Sequence, residues 1–569
     1  MFKHKVIGIT AACLLAGGSV SPSLAQTAPV GPTAPTTSTT PTAATVQLLN
    51  EFRPIGGSGN NLQNPSLNPT PGSAELNLAP LNFSGGAKDN LVNGPNPRAI
   101  SNVISGGTGA QGQTSTTEDE GASAWLYVFG QFVDHDLDLE TNSPDNHSID
   151  INVPPGDPVF KPGTKIQMSR DARSPSTDTI INTTAGFLDL SQLYGSTTAV
   201  ANSLRNADGT LQSSNNGQAL PIVDHNFVTG DPRVMENPEL VAVTTLFMRE
   251  HNQWVTTLKA QNRSWTGDQL YNMAKAITTA EYQNIVYTEY LPILLGPVPA
   301  YGVYSPSVNA QVSQEFAEAA FRMGHSQISG MQTGIDNYGN QVFTESLAQA
   351  FFNTPEMDIA NGINPLLRNL GADPSQATDV YAVNELRNLL FAPLAGGNVD
   401  EIDLIAIDIQ RERDAGVGTL NQTRTALGLK PDYKQFSDVT SDTVLQKSLQ
   451  DTYGSVDNLD LFIGGLAENH ASTGGRLGQT FQQIILDQFV RLRDGDRFYW
   501  QNQKFDAQTH NMIASTTLAT ILRRNTDSTN IQDHVFVPTS NAARATAAAG
   551  VAPSLTAPVI TNGRPFIFP

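Results

Sequence analysis

Trp125-Leu-Tyr-Val-Phe-Gly-Gln-Phe-Val-Asp-His-Asp-Leu-Asp138 sets apolar side chains at Trp125, Val128, Phe129 and Phe132, a spacing of three and four that predicts an amphipathic helix. On that helix the polar residues Gln131, Asp134, His135 and Asp138 fall at i, i+3, i+4 and i+7 and share a second face. A histidine among carboxylates beside an aromatic stripe suits a functional site. An ordinary solvated helix face accounts for the same pattern. Asp134, Asp136 and Asp138 also alternate as the ligands of a calcium loop do. An EF-hand is excluded, because Leu139 stands where the turn needs glycine and no glutamate closes the loop.

Working outward, the helical period recurs at Phe247, His251, Trp254 and Leu258, from Glu315 to Gly324, and at Phe481, Ile484, Ile485, Phe489 and Leu492. Alternating strand patterns are scarce, so the expected class is mainly α with little β. Gly230-Asp-Pro-Arg233-Val-Met-Glu236-Asn-Pro-Glu-Leu240 reads as a turn entering a helix, with Arg233 and Glu236 spaced for a local ion pair. In Phe321-Arg-Met-Gly-His325 the histidine ends a helix three residues after Arg322, where packing, capping and ligation are all open to it. His251 lies on the stripe with Phe247 and Trp254, which predicts packing.

Charge and composition narrow the function. The 569 residues are 39% hydrophobic and only 15% charged, and 33 Lys and Arg against 53 Asp and Glu leave a net charge of −20. Electrostatic attraction to nucleic acid or anionic lipid is thereby disfavoured, and small substrates or cations fit better. Lys3 and Lys5 ahead of an apolar run from Val6 to Ala16, then Ser23-Leu24-Ala25, read as an export signal over residues 1–25. A Thr/Ala/Pro-rich linker follows at 26–45, then one catalytic domain at 46–540 and a flexible Ala/Thr/Pro-rich tail at 541–569. The only cysteine, Cys13, falls in the signal, so the exported chain carries no disulfide. No later run is apolar enough for a membrane span, which places the product in a periplasm or outside the cell.

Four further stretches complete the pattern: Arg53-Pro-Ile-Gly-Gly-Ser-Gly-Asn-Asn61, Pro95-Asn-Pro-Arg-Ala-Ile-Ser-Asn102, Asp457-Asn-Leu-Asp-Leu-Phe-Ile-Gly-Gly-Leu-Ala-Glu468 and Leu492-Arg-Asp-Gly-Asp-Arg-Phe-Tyr-Trp500. With the motifs above, in this order over nearly the whole domain, the chain resembles the animal-type haem peroxidases, the superfamily of myeloperoxidase and peroxidasin, in a bacterial secreted form. The resemblance implies a helical domain holding haem b between a distal and a proximal helix. It makes His135 the distal histidine with Gln131 one turn earlier, Arg233 the distal arginine, and His325 the ligand of the haem iron. Asp134 and Glu236 match carboxylates that form ester bonds to haem methyl groups. Asn237 stands where myeloperoxidase has a methionine that makes a third link, so that link is not expected.

The resemblance implies further sites. In Leu404-Ile-Ala-Ile-Asp408-Ile-Gln-Arg411 the family places an asparagine that accepts the proximal N–H, and this chain has Asp408. Arg322 and Arg411 would hold haem propionates. Asp136 and the loop Ala185-Gly-Phe187-Leu-Asp189-Leu-Ser191 resemble the family's Ca2+ site, with Ala185 replacing a threonine that supplies a hydroxyl as well as a carbonyl.

These residue types suit reduction of hydrogen peroxide. A neutral His135 can move a proton from one peroxide oxygen to the other, a step worth about 10²- to 10⁴-fold, while Arg233 supplies fixed positive charge. The family chemistry then yields water and a ferryl haem with a porphyrin radical, which oxidises a halide, thiocyanate or a small organic donor. An ionised Asp408 would make the proximal imidazole more anionic and lower the potential, so chloride should be a poorer donor than iodide, bromide or thiocyanate. A haem-dependent fatty-acid dioxygenase would need a tyrosine three residues before the proximal histidine, where this chain has Arg322, and none occurs from Ser305 to His325. A non-catalytic secreted calcium-binding or adhesive protein would be expected to have lost His135, Arg233 or His325, and all three are present.

Overall fold

The computed structural model describes residues 46–539, apart from 89, 107–115, 352–358, 392–399, 431, 472–473 and 529. The expected signal, linker and tail lie outside the described residues. Helices carry the fold, and the described strands pair only two at a time, so the mainly α expectation holds. The longest pair sets Met331–Ile335 antiparallel to Gln341–Ser346, with Met331 opposite Ser346. No helix among the described residues is long and apolar enough to cross a membrane.

The apolar stripe of the opening motif becomes the helix Trp125–Leu137, and the second becomes Pro238–Gln261. Their aromatic faces meet in one core: the Phe132 and Phe247 rings stack 5.0 Å apart, and Tyr282 from the helix Gly267–Ile285 stands edge-on to Phe132 at 5.9 Å. Burying each such side chain contributes about 1.5–3 kcal/mol. The predicted helix at Phe481 extends over Gln479–Asp494 and buries Phe481, Ile484, Ile485 and Phe489. His251 is fully buried, with Nδ1 against the Tyr194 hydroxyl at 3.0 Å and Nε2 against the Gly209 carbonyl at 3.0 Å, which is the packing role expected of it.

The segment expected to be one helix over Glu315–Gly324 is built differently. A π turn, Phe316–Ala320, passes into a 3₁₀ turn, Phe321–Met323, and then a short α turn, Gly324–Gln327, so His325 lies near the start of a turn and does not end a helix. The wide π turn brings residues five apart onto one side, and Phe316 and Phe321 stack at 4.6 Å accordingly.

The charged residues of the outlying motifs form buried clasps. Arg98, with no exposed surface, donates to Asp157 (2.7 Å), to Asp403 (2.7 Å) and to the Arg387 carbonyl (2.7 Å). Asp403 in turn caps the helix Leu404–Asp414 by accepting from the Ala406 N–H at 3.1 Å. At the other end of that helix Arg413 makes a two-pronged pair with Asp460, at 2.9 and 2.6 Å. Asp496 of the last motif accepts from Asn60 at 2.7 Å and pairs with Arg53, which ties the two ends of the domain together. Removing one member of such a buried pair costs about 3–5 kcal/mol. The helix that carries Asp408 is therefore fixed at both ends.

Candidate functional site

Along the helix Trp125–Leu137 only Gly130, Gln131 and Asp134 escape full burial, so a single strip of it opens onto accessible space. A solvated helix face is ruled out, because His135 and Asp138 on the polar side retain 4% and 3% of their surface. This helix packs against the turn Gly324–Gln327. There Arg322, Gly324 and His325 are the partly exposed residues, and a Cβ added to Gly324 would touch nothing within 4 Å. Asp134 on the helix and His325 on the turn are thus partly exposed on two elements in direct contact.

On the His135 side, burial and the Arg233 charge push the imidazole down to about 3, so it is neutral over the physiological range. Its Nε2 lies 3.6 Å from Glu236 Oε2. Burial raises Glu236 to about 7 and Asp134 to about 6, so the His135–Glu236 approach is a polar contact and not an ion pair. Gln131 organises the strip: its Nε2 donates to Glu236 at 2.9 Å, and its Oε1 accepts from Asn237 at 2.9 Å. Asn237 also caps the next helix by accepting from the Leu240 N–H at 2.8 Å.

Arg233 does not pair with Glu236. Its Nε and Nη2 reach Asp231 at 3.0 and 2.7 Å, and Nη2 also donates to the Asp138 carbonyl at 2.6 Å. Burial alone would weaken the guanidinium charge, but Asp231 outweighs it and holds the pKa above its ordinary value. Asp231, which holds the Arg233 guanidinium, was not singled out by sequence reading. The signal was the Asp-Pro-Arg turn, in which an aspartate is poised to accept from the Arg233 N–H, as it does at 2.7 Å.

On the opposite side His325 Nδ1 lies 2.6 Å from Asp408 Oδ2, as expected, which leaves Nε2 directed elsewhere. Asp408 is completely buried. Arg322 bridges Glu318 at 2.9 Å and Asp408 at 3.5 Å, and Arg411 is bound to Asp171 at 2.6 Å and to the Ser169 carbonyl at 2.7 Å. Neither arginine is a bare cation awaiting an anion, so a propionate would have to share a guanidinium that already serves a carboxylate.

The calcium candidates also converge. Asp136 accepts from the backbone N–H groups of Asp189 at 2.9 Å and Leu190 at 3.0 Å, and from the Ser191 hydroxyl at 2.8 Å. Burial, then the Asp189 charge, raises Asp136 to about 8, and Asp189 Oδ1 is buried without a partner. Phe187 accepts the Asp189 N–H through its carbonyl at 2.8 Å, while the Ala185 N–H donates to Ser196 at 3.1 Å.

These positions can be compared with known proteins. Peroxinectin A of Dictyostelium discoideum is 32% identical over 527 residues, covering 85% of this chain and 96% of its own. Human myeloperoxidase is 30% identical over 570 residues, covering 86% and 74%. Among solved structures, peroxidase A from Dictyostelium discoideum superposes with a TM-score of 0.76 at 30% identity, over 86% of this chain and 99% of that one. A fatty acid alpha-dioxygenase from Arabidopsis thaliana reaches 0.72 at 18% identity, covering 86% of each, and shares the fold alone. The animal haem peroxidase profile matches residues 52–536, and the chain belongs to that family.

Proposed function

We propose that this chain is an exported haem peroxidase that reduces hydrogen peroxide with His135 and Arg233 and binds haem b through His325. The observation that carries the reading is the pairing of a neutral, buried His135 on one side with an Asp408-held His325 on the other. The residues fit the group. His325 keeps one nitrogen free, Gly324 leaves open space beside it, and the helix packed on this turn carries the partly exposed Asp134 and, through Gln131, holds Glu236. When bound, haem supplies the redox chemistry, with iron held by His325.

The chain's own part is proton and charge handling. His135 takes the proton of the near peroxide oxygen and returns it to the far one, which leaves as water. Arg233, anchored by Asp231, offers positive charge that cannot be lost by deprotonation. Gln131 fixes Glu236 beside His135. Asp134 and Glu236, both raised toward neutrality by burial, are assigned to ester links with the haem. Ca2+ is assigned to Asp136, Asp189, Ser191 and the carbonyls of Ala185 and Phe187, where a divalent cation would relieve the crowding of two buried carboxylates.

The donors assigned to it include small anions and small organic molecules. Comparing peroxide-dependent oxidation of chloride, bromide, iodide and thiocyanate tests this reading: activity with the last three and little with chloride is expected, and no turnover with any donor would overturn it.

A further inference from the structure

Three carboxylates from separate parts of the chain meet beside the His325 side of the site. Glu75 follows the strand Ser73–Ala74, Glu140 lies just past the helix Trp125–Leu137, and Glu318 sits in the π turn before His325. One oxygen of each lies within 4.8 Å of the others. Glu75 retains 3% of its surface and Glu318 none, yet both oxygens of Glu75 and one each of Glu140 and Glu318 are buried without a hydrogen-bond partner. Buried polar oxygens are nearly always satisfied, so four orphans pointing into one cluster mark a missing partner.

The charge count says what that partner is. Three carboxylates carry −3, and Arg322, bound to Glu318 at 2.9 Å, is shared with Asp408 at 3.5 Å and offsets only part of that charge. The next acid, Asp171, is already matched by Arg411. The negative charge left uncompensated calls for a cation, and an all-oxygen donor set selects the hard divalent ions calcium, magnesium and manganese.

We propose that Glu75, Glu140 and Glu318 bind manganese(II), and that this ion is an electron donor for the peroxidase. The donor role rests on the haem peroxidase reading; the binding site does not. Position favours the redox-active ion of the three, because Glu318 joins Arg322, Arg322 joins Asp408 and Asp408 joins His325, at 2.9, 3.5 and 2.6 Å. The chemistry balances as one hydrogen peroxide, two Mn2+ and two protons giving two Mn3+ and two waters. Each manganese gives up one electron, and the peroxide O–O bond takes both.

The test uses the purified holoprotein, desalted without chelator so that calcium stays at Asp136 and Asp189. Titration with MnCl2, followed by the loss of the free-ion electron paramagnetic resonance signal, should show one ion bound per chain. Glu75→Gln should weaken it by about 10-fold or more, and Glu75 makes no hydrogen bond whose loss would unfold the chain. With peroxide and malonate, the wild type should form Mn(III)-malonate and E75Q should form it more slowly by a similar factor. An organic donor should be oxidised by both at the same rate. No Mn2+ binding, or binding that E75Q and Glu318→Gln leave unchanged, overturns the site. Binding with no Mn(III), while the organic donor is still oxidised, overturns the donor role. Failure with both donors would instead count against the peroxidase reading.

Discussion

His325 Nδ1 lies 2.6 Å from Asp408 Oδ2, and the carboxylate has no exposed surface. The short contact comes from two independent constraints. Arg98–Asp403 and Arg413–Asp460 clamp the ends of the Asp408 helix, while the π turn sets the position of His325. A buried carboxylate on the far nitrogen makes an imidazole a stronger donor to whatever its other nitrogen holds.

Asp408→Asn should therefore raise the ferric/ferrous potential of the holoprotein and speed chloride and bromide oxidation, by a factor on the order of 10 to 100. Spectroelectrochemistry together with halide assays measures both. A potential that stays constant or falls would show that Asp408 does not tune His325.

The pH dependence of the peroxide reaction follows from His135. An ordinary histidine loses its base form as pH falls through about 6.5, but burial takes His135 down to about 3, so the base form persists well below neutrality. The second-order rate with peroxide should show no acid limb near pH 6.5. Stopped-flow rates that drop through that pH, in the wild type but not in a His135 variant, would contradict the assignment.

Covalent attachment is checked by extraction with acidified acetone. Haem should remain with the wild-type polypeptide, and Asp134→Asn combined with Glu236→Gln should release it. Either single variant should leave one link intact and still retain it. Complete release from the wild type would mean that both are nearby acids only.

Calcium at Asp136 and Asp189 should be removable. Metal analysis is expected to find calcium bound, and EDTA should lower the melting temperature by loosening loop 185–191 from the His135 helix. Asp189→Asn should reproduce that drop and abolish the response to EDTA. A chain that melts at the same temperature with and without chelator would show that the direct Asp136 hydrogen bonds suffice.

Helical period and residue type made much of this legible in the sequence. The aromatic stripe at Trp125, Val128, Phe129 and Phe132 located the His135 helix, and the acids and histidine on its other side marked the site. The π turn at Phe316–Ala320 was hidden, because Ala, Glu and Phe suit an α-helix equally and nothing in their order marks the widening that stacks Phe316 on Phe321. Asp231 was hidden because its value lies in orientation: an aspartate two residues before an arginine reads as a turn until the guanidinium folds back on it. Glu75, Glu140 and Glu318 are 65 and 178 residues apart in order, so no local pattern could group them.

The measurement that bears most directly on the central claim is stopped-flow absorption of the haem band after mixing with peroxide, for the wild type and His135→Ala. The wild type should carry one haem per chain and react rapidly. H135A should keep the resting spectrum yet react more slowly by about 10²- to 10⁴-fold. An unchanged rate in H135A, or a chain that purifies in folded form and takes up no haem, would contradict the account.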